Sequence, residues 1–289
     1  MEDLVNMTSF CGSKKNATTD KNWSAECASS HYDASTIDYM TWALVLADGA
    51  ILSVGLTGNV LVIYVVARYA RMKTVTNVYI LNLSVADTLF LVGMPMIMTT
   101  ALLRRWVFGA ALCHVFWALT CVNMFTGTFT LTLMSADRFA AVWYPVSSAR
   151  YRKPSVAAAA AAVAWVASGA VMSPVVLYAE HFSRPAASDA EPPTYSCVVN
   201  WPAEQALTAA RAYVGYTAAI GFLVPVSGVC VFYALLVARL RSTRRHINSV
   251  MSRRQPTARR SVTHFVAIIV AVYIACWLPY WCFQVRRYC

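Results

Sequence analysis

The sequence predicts an all-α protein built as a bundle of transmembrane helices, and three observations carry that reading. Of 289 residues, 58% are hydrophobic and only 13% are charged, whereas soluble domains carry about 25% charged residues. Six long apolar runs recur along the chain, each near the roughly 20 residues that cross a bilayer core. The net charge of +11 is confined to alternate connecting segments, which marks membrane topology and argues against nucleic acid as a partner.

Taken in order, residues 1–39 form a polar outer segment, 40–285 a six-helix membrane domain and 286–289 a short end. The first segment lacks a basic stretch followed by an apolar run, so no cleavable signal peptide is expected and the first span starts insertion itself. The spans are expected at about 40–67, 75–103, 112–137, 155–179, 210–238 and 261–285. Each must be helical, because a lone segment in lipid has to satisfy its own backbone hydrogen bonds. The fourth, with its run Ala157 to Ala162, is the least apolar per residue. The charged residues inside the spans are nearly limited to Asp48, Asp87, Asp137 and His264.

Orientation follows from lysine and arginine. The segments after spans one, three and five hold Arg68, Arg71 and Lys73, then Arg150, Arg152 and Lys153, then a run from Arg239 to Arg260. The opposite side mixes both signs, so the amino terminus is expected outside. Three sequons in the outer segment, at Asn6, Asn16 and Asn22, are glycosylation acceptors that fit this side. The basic loop at about 239–260 reads in two ways, as the positive-inside signal against anionic lipid or as a docking surface for a partner.

Several constellations sit within the spans. Asp137-Arg138-Phe139 ends the third, where an ionisable pair is expensive and a functional role is the default, although an arginine at that depth also anchors by snorkelling. The first span carries Gly58-Asn59-Val60, the second Asn82-Leu83-Ser84-Val85-Ala86-Asp87, the fourth Trp165, the fifth Pro225 followed by Tyr233, and the sixth Cys276-Trp277-Leu278-Pro279. With Cys113 atop the third span and Cys197 in the following outer loop, this set resembles the rhodopsin-like (class A) G-protein-coupled receptors over nearly the whole chain.

The resemblance implies a seven-helix receptor fold, here truncated after helix six, since Arg286, Arg287, Tyr288 and Cys289 follow Val285 directly. Cys113 and Cys197 then lie in an oxidising compartment and are expected to form a disulfide; Cys11 and Cys27 are a weaker candidate pair. Family position makes Asp87, Asn59 and Asn123 candidates for an allosteric sodium ion, with Gly127 standing where relatives usually supply a hydroxyl; no other cofactor and no metal is expected. Pro225 and Pro279 each remove an intrahelical hydrogen bond, freeing the carbonyls of Gly221 and Ala275 and favouring kinks. The implied activation switch comprises Asp137, Arg138, Phe139, Pro225, Tyr233, Trp277 and Pro279. In the family the arginine pairs with the neighbouring aspartate at rest and is released toward the G protein, with Thr263 as a resting neighbour here.

Closer likeness comes from Met134-Ser135-Ala136-Asp137-Arg138-Phe139, the loop Ser147-Ser148-Ala149-Arg150-Tyr151-Arg152, Tyr195-Ser196-Cys197 with Trp201-Pro202, and Tyr273 through Pro279. These look like the somatostatin and opioid receptor group, most of all its arthropod branch, the allatostatin-C receptors. Those with a charged ligand anchor place an aspartate where this chain has Thr120, which cannot pair with a ligand cation. Candidate ligand-lining residues by family position are Thr120, Met124, Tyr213, Thr217, Trp277, Tyr280, Trp281 and Gln284, each alternatively packed core or lipid-facing. Thr120 and Arg138 are eighteen residues apart, five helical turns and roughly 27 Å, so one face of the third span connects the outer mouth to the inner end.

The resulting expectation is a plasma-membrane receptor for an allatostatin-C- or somatostatin-like peptide, acting on an inhibitory heterotrimeric G protein. The alternative is a non-signalling short form that retains or modulates a full-length sibling. An enzyme is not expected, since no nucleophile, base and orienting group converge. A transporter or channel also uses intramembrane acids, but it leaves the receptor motifs unexplained.

Overall fold

A computed structural model describes residues 34–69, 74–184, 193–202, 206–247 and 257–288, with side chains described except at 34–38, 184, 240–247, 257–267, 269–270 and 287–288. The sequons at Asn6, Asn16 and Asn22, the cysteines Cys11 and Cys27, and much of the third inner loop lie outside the described residues. So do the side chains of Thr263 and His264.

The chain forms α1 (Ala34–Arg68), α2 (Val75–Leu103), α3 (Gly109–Trp143), a short α4 (Pro145–Ala149), α5 (Pro154–Tyr178), strands β1 (Ala179–Arg184) and β2 (Thr194–Val199), α6 (Ala206–Ala218), a π-helical segment Ala219–Leu223, α7 (Val224–Ile247) and α8 (Thr257–Tyr288). Six long helical rods result, because α6, the π segment and α7 run on as the fifth. Among the described residues, five rods are long and apolar enough to cross a membrane, and α8 adds a sixth helix of 32 residues. The bundle agrees with the expected spans, and the helices overrun them where they leave hydrocarbon. The third span, expected to end near Asp137, continues to Trp143.

The third span is the hub, packing on α2, α5, the fifth rod and α8, whereas α1 packs chiefly on α2. Its contact with the alanine-rich α5 shows why that span tolerates small residues. Ala157, Ala161, Ala164, Ser168, Met172 and Val175 form one buried stripe at helical spacing, and small side chains there let two backbones approach in the absence of a hydrophobic drive between helices. Polar groups fasten the same seam. Trp165 Nε1 donates to Asn82 Oδ1 at 2.7 Å, and Asn82 Nδ2 donates to Thr130 Oγ1 at 2.8 Å, joining spans two, three and four. Thr126 Oγ1 donates to Ser168 Oγ at 3.0 Å.

Two features depart from the sequence reading. The outer loop after α5 contains an antiparallel hairpin, β1 with β2, in the register His181 to Cys197. The all-α assignment therefore holds for the membrane part but not for this loop. The disulfide between Cys113 and Cys197, with Cα atoms 5.6 Å apart, fastens β2 to the top of the third span, and the Trp106 backbone N–H donates to the Tyr195 carbonyl at 2.7 Å. The second departure is at Pro225. Instead of a simple kink, the chain widens into the π segment, in which the Val224 N–H reaches back five residues to the Ala219 carbonyl. A proline that supplies no N–H to Gly221 is accommodated by that extra residue in the turn.

Gly221 lies at the closest approach of this segment to the third span. A Cβ added there would stand 2.9 Å from both Cε1 and Cζ of Phe125, a ring with no exposed surface. Gly221→Ala is expected to destabilise the bundle by about 1–3 kcal/mol through overpacking, and Phe125→Leu in the same chain is expected to recover part of the loss. Thermal unfolding of the detergent-solubilised protein checks both.

Candidate functional site

At the outer end, the hairpin lies over a layer of aromatic side chains. Trp201 stacks obliquely between Tyr178 and Tyr213, with centroids 5.3 and 5.5 Å away, and the Tyr213 hydroxyl points to Met172 Sδ at 3.7 Å. Deeper, Trp277, Tyr280 and Trp281 form successive edge-to-face contacts at 5.5 and 5.2 Å. They gather with Met124, Ala218 and Phe222 in one cluster. Met124 also borders the cluster holding Tyr213, so five of the eight expected lining residues, Met124, Tyr213, Trp277, Tyr280 and Trp281, fall in two adjoining groups. Thr120 and Gln284 are half-buried on their own helices. Thr217 is 1% exposed and its hydroxyl donates to the Tyr213 carbonyl at 2.6 Å, which places it in the packed wall.

The polarity of this region is distinctive. Both indole N–H groups of Trp117 and Trp281 are buried without an acceptor, and no acidic side chain occupies the Thr120 position. These two indole N–H groups lie in apolar clusters, where an unmatched donor is costly.

Midway through the bundle, Asn59 Nδ2 donates to the carbonyl of Gly55 in its own helix at 2.9 Å. That bond uses one of the two amide N–H groups of Asn59 within its own helix. Asn123 Oδ1 is buried and has no donor. Its relation to Asp87 follows from antiparallel packing: a Cβ on Gly127 would meet Leu83 Cδ1 at 3.7 Å. One turn outward from that contact lie Asn123 on the third span and Asp87 on the second.

At the inner end, Asp137 is the centre of an ion cluster. Its carboxylate, 7% exposed, lies 3.3 Å from Arg138 Nη2 and accepts two bonds from Arg152, from Nε at 2.8 Å and Nη2 at 3.1 Å. That paired bond holds the Arg152 guanidinium above its usual range. Arg138 Nε is buried and meets no acceptor. Arg138 and Arg152 share a cleft of 510 Å³ with Thr74, Val75, Thr76 and Pro154. Phe139 lies 5.4 Å from Phe232 of the fifth span, and Tyr233 packs beside Met134 and Val229. Pro225 is the second residue of α7, and Pro279 lies within an unbroken α8.

Two residues with clear roles were not singled out by sequence reasoning. Arg152 looked like one of several topology-setting bases; only the turn of α4, where the Arg152 N–H donates to the Ser148 carbonyl at 2.9 Å, selects it over Arg150 and Lys153. Tyr273 appeared only as part of a resemblance, yet its hydroxyl lies 2.6 Å from Thr128 Oγ1 and donates to the Gly221 carbonyl at 3.3 Å.

Replacing Arg152 with Gln or Asp137 with Asn is expected to lower stability, and a double-mutant cycle is expected to give a coupling of about 1–2 kcal/mol. That sits between exposed pairs and hydrogen bonds to buried charge, because the arginine is 30% exposed. Unfolding in mixed micelles measures it, and zero coupling would place the pair among ornamental surface contacts.

Comparison with known proteins places these features. The family described as 7 transmembrane receptor (rhodopsin family) matches residues 58–289. Somatostatin receptor type 2 of Mus musculus is 40% identical over 232 residues, covering 80% of this chain and 60% of that receptor. Somatostatin receptor type 1 of Rattus norvegicus is 40% identical over 231 residues, with 80% and 56% covered. Somatostatin receptor type 5 of the same species is 41% identical over 229 residues, with 79% and 60% covered. The chain spans somewhat under two thirds of the length of these relatives.

Proposed function

The chain belongs to the rhodopsin family of seven-transmembrane receptors, in its somatostatin-receptor group, and from that premise we propose that it is a peptide-activated receptor signalling through a heterotrimeric G protein. This is a family of receptors and not of enzymes. The observation that carries the proposal is the third span itself. Its outer end lies under a disulfide-fastened hairpin beside an aromatic cluster, and its inner end holds the Asp137–Arg138–Arg152 cluster.

The chemistry of the mouth refines the ligand class. With threonine at 120 and apolar aromatic clusters at the outer end, the site favours a peptide recognised by apolar and hydrogen-bonding contacts over one anchored by a cation. We assign it an allatostatin-C- or somatostatin-like cyclic peptide, an inhibitory G protein, and a plasma-membrane setting with the amino terminus and its sequons Asn6, Asn16 and Asn22 outside. In cells expressing the full-length receptor, an allatostatin-C-type peptide is expected to lower cyclic AMP more potently than somatostatin. A response to neither peptide, at verified surface expression, overturns the ligand assignment.

An allosteric sodium ion fits the centre of the bundle in part. Asp87 supplies a carboxylate and Asn123 a buried acceptor without a donor, while Asn59 is committed to Gly55 and Gly127 contributes no ligand atom. The bound ion would supply counter-charge to Asp87. Sodium is expected to weaken peptide binding to the unaltered receptor but not to the Asp87→Asn variant. Radioligand competition in sodium against a large organic cation measures this, and equal curves for the unaltered receptor remove the ion from the account.

A further inference from the structure

The cleft at the inner end of the bundle holds more positive charge than its acid neutralises. Arg138 and Arg152 line it with Thr74, Val75, Thr76 and Pro154, around a volume of 510 Å³. The two guanidiniums share one carboxylate, that of Asp137, and Arg152 takes both of its oxygens, at 2.8 and 3.1 Å. Arg138 keeps a single contact at 3.3 Å, and its Nε is buried without an acceptor. One positive charge is left over, on a guanidinium with an unused donor. Among the described residues, no acidic side chain lines the cleft itself.

The opposite wall begins with a hydroxyl in a distinctive setting. Arg71 stands three residues before Thr74 and Lys73 directly before it, the spacing that arginine-directed protein kinases read through acidic residues of their own. Positive-inside topology puts this segment on the side that holds ATP. Thr74 is exposed, and its backbone is extended, with φ −98° and ψ 159°, as a kinase requires of the residue it modifies. Thr76 is half-buried and already within the helix. Thr74 also caps α2, because its Oγ1 accepts from the Asn77 N–H at 3.3 Å, and threonine is common at such positions. A cap, however, requires nothing from the arginines that share its cleft.

We propose that Thr74 is a phosphorylation site for an arginine-directed protein kinase, and that the added phosphate engages Arg138 across the cleft and withholds it from the G protein. In the transfer, Thr74 Oγ1 attacks the γ-phosphorus of ATP. The Oγ1–P bond forms, the bond from that phosphorus to the ADP oxygen breaks, and the hydroxyl proton passes to the kinase's base. The product carries about −1.5 to −2 charge at neutral pH and three acceptor oxygens. It can therefore take the spare donor of Arg138 while Asp137 keeps its paired bond to Arg152, whose charge and the amino-terminal end of α2 favour the same anion. The loss of coupling rests on the receptor reading above, whereas the seating of the phosphate does not.

The test uses the full-length receptor in phosphatidylcholine nanodiscs. Incubated with ATP and the catalytic subunit of cAMP-dependent kinase, or with ATP and protein kinase C, it is expected to gain phosphate on Thr74, read by peptide mass spectrometry. No phosphate there in either reaction overturns the site. A second preparation has phosphothreonine encoded at position 74, so the seat is measured without a kinase. Its second phosphate ionisation, ordinarily near pH ~6, is followed by phosphorus NMR. Guanidiniums favour the dianion and are expected to lower that midpoint by about one unit, with most of the shift lost in Arg138→Gln. An ordinary midpoint, or a shift that survives Arg138→Gln combined with Arg152→Gln, overturns the seat. Peptide-stimulated nucleotide exchange is expected to fall about tenfold in the phosphorylated receptor, the scale of one hydrogen bond to a charged group. Thr74→Asn keeps a helix cap and accepts no phosphate; a kinase-induced fall that persists in it overturns the assignment to Thr74. A lowered midpoint with exchange indifferent to the phosphate overturns the regulation. Unmodified receptor that ignores peptide while the midpoint shift stands defeats the receptor reading and upholds the seat.

Discussion

Hydrocarbon offers no hydrogen bonds, and the structure of this bundle is largely an answer to that constraint. The helices satisfy the backbone. Serine and threonine side chains inside the spans mostly turn back on their own helices, as Thr57 does to Ser53, Thr88 to Ser84, Thr130 to Thr126 and Ser135 to Leu131. The polar groups that do cross between helices concentrate on the third span, where Thr126, Thr128 and Thr130 face Ser168, Tyr273 and Asn82 in turn. That ladder explains why the third span is the hub: it carries the polar atoms that neighbouring helices need. The π segment belongs to the same account, because a proline in lipid leaves a carbonyl that must find a donor elsewhere.

The two ends of the third span meet different solvents and solve different problems. At the outer end a covalent bond ties the span to the hairpin, so loop and helix move as one piece. At the inner end one carboxylate serves two guanidiniums, leaving the cluster net positive on the side already marked by basic loops. Asp137 therefore neutralises only part of the charge around it. Arg138 is held by the weaker, single contact, while Arg152 takes the bidentate one, so Arg138 is the more easily released of the two.

How far this was legible in the sequence depends on how many chain segments each feature needs. The spans were legible because each is one apolar run, and α2 begins and ends at the expected residues. The disulfide was legible once sidedness was known. The hairpin was not: Thr194–Val199 is too short a pattern to stand out beside membrane helices, and its pairing depends on Ala179–Arg184 across an intervening loop. The selection of Arg152 needs the turn of α4, and the bond of Tyr273 needs the π segment to present Gly221. That Asn59 turns back on the Gly55 carbonyl of its own helix is a rotamer choice the sequence does not display. Five of the residues assigned by family position lie in two adjoining clusters, whereas the commitment of the Thr217 hydroxyl to its own helix is a rotamer, which sequence does not encode visibly.

These arrangements also restrict how the two ends of the third span can influence each other. Between His114 and Asp137 that span carries no charged residue, so no relay of ion pairs runs along it. Thr120 and Arg138 are roughly 27 Å apart along that span. Under the proposed receptor reading, coupling between the ends runs through packed contacts that have two discrete arrangements. Close-packed apolar surface resists continuous deformation but does not by itself define a second state. Thr128 lies eight residues from Thr120 and ten from Arg138, and it is there, near the middle of the span, that the third, fifth and sixth spans meet through Tyr273.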